Sequence, residues 1–290
     1  MKKIFLLFSL FLNFVSLLQA QNFEWAKSIG GTTGADLGNA VKVDNLGNVY
    51  TTGSYFGTVD FDPGVNVFNL TSLGNGDIYV MKQDAAGNFV WAKSMGGASS
   101  GHSYAMAIDG SGNIYTTGHF SDTADFDPGP GVYDLISTGS ADIFVSKLDS
   151  NGNFVWARSM TCTLIGHSYA LCLGLDNSVY TTGYFLGTTD FNPGAGVYNL
   201  TSAGGWDVFV SKLDSNGNFV WAESIEGSNT AYANAIHVDQ YGSLIIAGTY
   251  GGTADFDPGA GVFNLTANAG SDIFICKWSS SGNFIWAKGM

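Results

Sequence analysis

The residue pattern with the most chemistry in it is DFDPG, present three times and once more as DFNPG. It sets Asp60 with Asp62, Asp125 with Asp127, Asp190 with Asn192, and Asp255 with Asp257. Residues two apart on an extended segment project to one side, so each pair offers hard oxygens to Ca²⁺, and Asn192 keeps an oxygen ligand while losing a charge. The competing role is structural: the second acid opens a Pro-Gly turn and the first accepts local backbone N–H bonds. A calcium cage takes about 6 to 8 oxygens, and no DxDxDG loop adds the missing ones, which favours the turn role.

The histidines are His102 and His167, at the same place in two copies of GHSY, with His119 and His237. No His-x-x-x-His or Cys-x-x-Cys spacing supports zinc. His102 and His167 are expected just ahead of an innermost strand, as polar contacts at the rim of a ligand site, with Trp206 of GGWD a third candidate. Trp206, Glu223 and the segment SMTCTLIGHSYALCLGLDNS depart from an otherwise regular repeat, and a site is expected where they gather. GASSG (97–101) matches G-x-S-x-G literally, but that motif needs a strand-to-helix turn that this chain does not offer. No catalytic residue and no organic cofactor site is identified.

What must position these residues is a repeat. Trp25, Trp91, Trp156, Trp221 and Trp286 are spaced by 66, 65, 65 and 65 residues, a fixed period that belongs to propellers, solenoids or arrays. Around Trp156 the unit reads DIFVSKL, the turn DSNGN and FVWARSM, an apolar hairpin. Ahead of it lies a second hairpin, AMAID, GSGN and IYTTGHF, and between the two a 121–141 stretch holds TADF, DPGPG and VYDLIS, a third and peripheral hairpin. Two tandem hairpins make a four-stranded antiparallel blade, and radial repetition buries both faces of every sheet. That explains strands apolar on both sides. The expected fold is an all-β propeller of four repeats, about 31–95, 96–160, 161–225 and 226–290, preceded by an extra outer strand at 22–30.

AIDGSGNIYTTG combined with DIFVSKLDSNGNFVWA resembles the SBBP-type β-propeller repeats of exported bacterial proteins, over essentially the whole chain after residue 20. The resemblance implies a propeller. DSNGNFVW is also similar to the tryptophan-docking turn of quinoprotein propellers; its Asp-to-Gly spacing is one residue shorter, so only the packing role of the Trp carries over, not the quinone. Sialidase Asp-boxes differ in spacing and sialidase chemistry is not implied. Five Trp strands stand against four sets of the other three, so the ring is expected to need a further blade or another chain, a four-bladed ring with one frayed strand being the alternative.

Residues 1–20 have a basic start (Lys2, Lys3), an apolar run and Ala20 before Gln21, the layout of a secretory signal peptide, which implies a secreted or cell-surface protein. No other run is long and apolar enough to be read as a transmembrane segment. Without Lys2 and Lys3, nine basic residues face 24 acidic ones, a net charge of −15. Eight of the nine fall at two repeated hairpin positions, which argues against a nucleic-acid partner. Asp outnumbers Glu 21 to 3 beside 40 Gly, a turn-rich composition. Cys162, Cys172 and Cys276 sit at unrelated positions and are read as isolated thiols. The functional expectation is a binding scaffold for a surface protein or glycan. The alternatives are a carbohydrate-active enzyme with paired carboxylates in its channel and a purely structural array.

Overall fold

The computed structural model describes residues 24–31 and 33–290. The segment read as a signal peptide, and residues 22 and 23 of the extra strand, lie outside the described residues. The described chain is all-β and propeller-type, with antiparallel sheets throughout. From the axis outward, the first blade consists of Leu37–Val43, Val49–Tyr55, Asp77–Gln83 and Phe89–Gly97. The second consists of Gly101–Ile108, Ile114–Phe120, Asp142–Leu148 and Phe154–Cys162. The third consists of Ile165–Leu173, Val179–Leu186, Asp207–Leu213 and Phe219–Gly227. In the fourth, Ala231–Val238 is followed by the long strands Leu244–Asp255 and Asn264–Trp278, and then Phe284–Gly289.

Short-range chemistry makes the hairpins. Asp109 Oδ1 accepts the backbone N–H of Ser111 at 2.9 Å and of Asn113 at 3.0 Å, while Oδ2 accepts from Asn113 Nδ2 at 2.8 Å. Gly112 closes this turn at φ 80°, a conformation that costs a side-chain-bearing residue energy. Asp44, Asp84, Asp149 and Asp214 repeat the arrangement, side-chain amide included. The hydrogen bonds hold these five carboxyls below the usual range against the opposing effect of desolvation.

The core lies between blades. Ile143, Val145 and Met160 of the second blade pack with Leu171, Val179, Phe185 and Phe209 of the third, and equivalent residues repeat this at the neighbouring interface. Burying one such side chain contributes about 1.5–3 kcal/mol. The outer-strand Trp of each of the first three blades then reaches across to the hairpin turn of the next blade. Trp156 covers Gly217 and donates Nε1–H to Ser215 O at 3.3 Å; Trp221 covers Gly282 and donates to Ser280 O at 3.2 Å; Trp91 lies against Gly152. A Cβ on Gly217 would stand 3.0 Å from the Trp156 ring, a tight approach, and its φ of 78° favours glycine in its own right.

The peripheral hairpin expected within each repeat is present, and it belongs to the preceding blade. Thr123–Asp125 pairs with Asp134–Ile136 and also with the end of the first blade's outer strand, Asp125 opposite Gly96. Thr188–Asp190 joins the second blade through Asp190 opposite Thr161, and Asp255 joins the third opposite Glu226. A buried carboxylate fastens the second and third of these junctions. Asp142 accepts from Cys162 N at 2.9 Å and Thr138 N at 3.1 Å; Asp207 accepts from Gly227 N at 3.0 Å and Ala203 N at 2.7 Å. The three cysteines are unpaired, two buried and Cys172 half-buried.

Candidate functional site

The four innermost strands line a channel of about 300 Å³ in which Ala40, Ala105, Ala170 and Ala235 stand at equivalent positions. Its polar lining groups are Lys42, Tyr104, Tyr169 and Asn234. No lining residue is a carboxylate, whereas the enzyme reading required a pair of them.

At one end of this channel the chain places a row of rings. His102 and His119 sit opposite each other in the second blade's ladder, and His167 and Tyr184 occupy the same register in the third. The row runs from Phe56 through His102 (6.4 Å between centroids), His119 (5.0 Å), His167 (3.8 Å) and Tyr184 (5.1 Å) to Trp206 (4.5 Å, 18° from parallel). Tyr104 and Tyr169 lie 5.1 Å apart alongside it, within 6.3 Å of His167. Offset and edge contacts of this kind add about 0.5–1.5 kcal/mol each beyond burial.

The row is electrically neutral. Burial pushes His119 down to about 2 and His167 down to about 4, in each case with neighbouring imidazoles adding to the effect, and burial also lowers His102. Burial raises Tyr104 to about 12 and pushes Tyr184 further up. His102 Nδ1 and Ser54 Oγ are hydrogen-bonded at 2.8 Å, and Tyr184 Oη and His167 Nδ1 at 3.2 Å. His119 Nδ1 is buried without a partner. Such a surface stacks and exchanges neutral hydrogen bonds. Its half-buried members are His102, Tyr104, His167 and Tyr169, and Trp206 at the end is 38% exposed.

Three residues singled out in the sequence, His102, His167 and Trp206, thus fall in one row. The two histidines lie within the innermost strands, not ahead of them, because those strands begin at Gly101 and Ile165. Tyr184, Tyr104 and Tyr169 were missed, and His119 was named only among the histidines. The available signal was their variation: the place of His119 in IYTTGHF is Ser54 in VYTTGSY, Tyr184 in VYTTGYF and Thr249 in LIIAGTY. The departures from the repeat do not all gather as expected. Cys162 is buried in the interface between the second and third blades, and Glu223 is half-buried on an outer strand beside Gly282.

The DFDPG residues lie elsewhere, on the peripheral hairpins. Asp60 Oδ1 accepts from Asp62 N at 3.0 Å and Phe68 N at 2.8 Å, and Asp62 Oδ1 accepts from Gly64 N at 2.8 Å. The same three bonds recur at Asp125 and Asp127, at Asp190 and Asn192, and at Asp255 and Asp257. Among the described residues no three His, Cys, Asp or Glu side chains converge as a metal site.

No family model matches the chain. It is 24% identical to an uncharacterized WD repeat-containing protein of Acanthamoeba polyphaga mimivirus over 91% of this chain and 23% of that protein. It is 23% identical to the regulatory protein FlaEY of Caulobacter vibrioides over 59% of this chain and 17% of that protein. The chain therefore spans less than a quarter of the length of these curated relatives. A protein of unknown function from Bacteroides caccae aligns with a TM-score of 0.37 and 11% identity, over 87% of this chain and 81% of that one.

Proposed function

We propose that this protein is an interaction scaffold of the SBBP propeller type, secreted or held at the cell surface, and that the aromatic row at the channel mouth recognises the sugar rings of a glycan. The observation that carries the reading is the gathering of His, Tyr and Trp side chains at one end of the inner strands, with Trp206 open to solvent. Sugar C–H faces stack on such rings, and neutral phenol and imidazole groups supply hydrogen bonds without fixing a charge.

The test is a glycan array probed with residues 21–290, followed by tryptophan fluorescence titration of each hit. Trp206→Ala and Tyr104→Ala are expected to weaken binding at least tenfold. Binding that ignores both substitutions, or an array with no hit, counts against the reading. A protein ligand is the second reading, favoured by Val67, Val132, Val197 and Val262, which expose an apolar side chain at the same peripheral hairpin position of every repeat, each about 70% accessible.

A further inference from the structure

The segment 24–31, of which Gly30–Gly31 is a strand, occupies the place of an outer strand whose blade is absent from the described chain. Trp25 lies on Gly87 and donates Nε1–H to Ala85 O at 3.3 Å, as Trp156 does to the turn at Gly217. Ile29 packs beside the first blade's Tyr55, Phe61 and Tyr79. Gly30 and Gly31 pair with Asp60 and Val59, as the ends of the true outer strands pair with the following repeat's hairpin. Yet residues 24–29 have no ladder partner, whereas Trp156 to Met160 are paired with Lys147 to Ile143.

Both walls of the space beside this segment are apolar and uncovered. Val41 is 58% exposed, while its counterparts Met106, Leu171 and Ile236 are 1%, 7% and 8% exposed under the preceding blade. On the fourth blade Ile273 is 55% exposed, while Ile78, Ile143 and Val208 at the same position are fully buried under the following blade. Glycines 87, 152, 217 and 282 each carry a Trp, and none carries Trp286.

We infer that this slot is a docking site for a further copy of this same repeat, a three-stranded antiparallel sheet that completes the blade begun by residues 24–31. The three complete interfaces define what fits. The incoming third strand, of DIFVSK type, pairs with residues 25–29 and packs its Ile and Val on Val41 and Leu37. Its opposite face covers Ile273 and Ile275, and its Asp-x-x-Gly-Asn turn receives Trp286. Every set of three inner strands in the described chain already has its own outer strand, so the occupant comes from outside those four sets.

The test adds a free polypeptide of sequence 96–153, three strands and a turn without the outer strand, to residues 21–290. Sedimentation reads stoichiometry and hydrogen exchange reads the amides of 25–29. The expected result is a one-to-one complex in which those amides slow at least tenfold. Val41→Asp or Ile273→Asp should weaken it at least tenfold, while Val132→Asp on an exposed tip leaves it unchanged. A chain with 96–153 fused after Met290 controls for folding of the added piece. Protection of 25–29 in the mixture or in the fused form supports the slot, protection in neither overturns it, and self-association of the unmixed chain that Val41→Asp abolishes makes the occupant a second copy of the whole chain and overturns the inference as stated.

Discussion

His119 and His167 lie face to face across the boundary between the second and third blades, their ring centroids 3.8 Å apart and their planes 3° from parallel. Two imidazolium rings would not hold that geometry, so the interface is built for the neutral forms. Each ring comes from a different blade, which makes their protonation a property of blade packing.

The first prediction is acid lability below neutrality. With folded values lowered to about 4 for His167 and about 2 for His119 against an ordinary 6.5, the unfolded chain binds more protons as pH falls. The contribution of these groups is fully present above pH 6.5 and declines as pH drops toward 4. Denaturant midpoints measured from pH 7.5 to 4 should fall, and His119→Ser, which installs the first blade's residue, should flatten that slope. An unchanged slope would refute the assignment.

Asp207 titrates in the opposite sense. Burial lifts it to about 6, against the pull of two backbone N–H bonds. The folded form therefore binds the extra proton between about 6 and 3.8, and this carboxyl's contribution rises as pH falls through that window. Comparing wild type with Asp207→Asn isolates the effect, because the amide does not titrate. Asp207→Ala should cost about 1–3 kcal/mol at pH 7, since the buried N–H of Gly227 loses its acceptor. Chemical denaturation followed by far-UV dichroism measures both.

The Trp clasps differ in what truncation removes. Trp156→Ala should destabilise by about 3–5 kcal/mol, because the ring is buried against the next blade's turn. Trp286→Ala should cost less than about 1 kcal/mol in the unmixed chain, since no glycine turn lies against that ring. Equal losses at the two positions would mean that the clasp is not what the tryptophan contributes.

The repeat made much of this architecture readable in advance. A Trp every 65 residues, a Gly turn and apolar strands repeat because the same two contacts, sheet on sheet and Trp on turn, recur at each interface. The attachment of each peripheral hairpin to the preceding blade was not readable, because it depends on two-residue pairings such as Asp125 opposite Gly96 that leave no periodic trace. The aromatic row was half readable. GHSY drew attention to His102 and His167, but His119 and Tyr184 stand in otherwise regular second strands. Only alignment of the copies against each other separates them from packing residues.

The last prediction concerns the DFDPG carboxylates, for which turn chemistry and calcium binding make different demands. Asp125 Oδ1 is engaged by two backbone N–H donors, Asp127 N at 2.9 Å and Tyr133 N at 2.8 Å, and Asp127 Oδ1 by Gly129 N at 2.8 Å. A cation taking those oxygens would compete with the bonds that close the hairpin, and the remaining oxygens of one pair fall short of the about 6 to 8 a calcium ion takes. Melting temperatures in EDTA and in millimolar Ca²⁺ should therefore agree. Asp125→Ala should cost about 1–3 kcal/mol under both conditions by stranding the N–H groups of Asp127 and Tyr133. A rise in melting temperature with Ca²⁺ that Asp125→Ala abolishes would show that the carboxylates hold metal in addition to the turn.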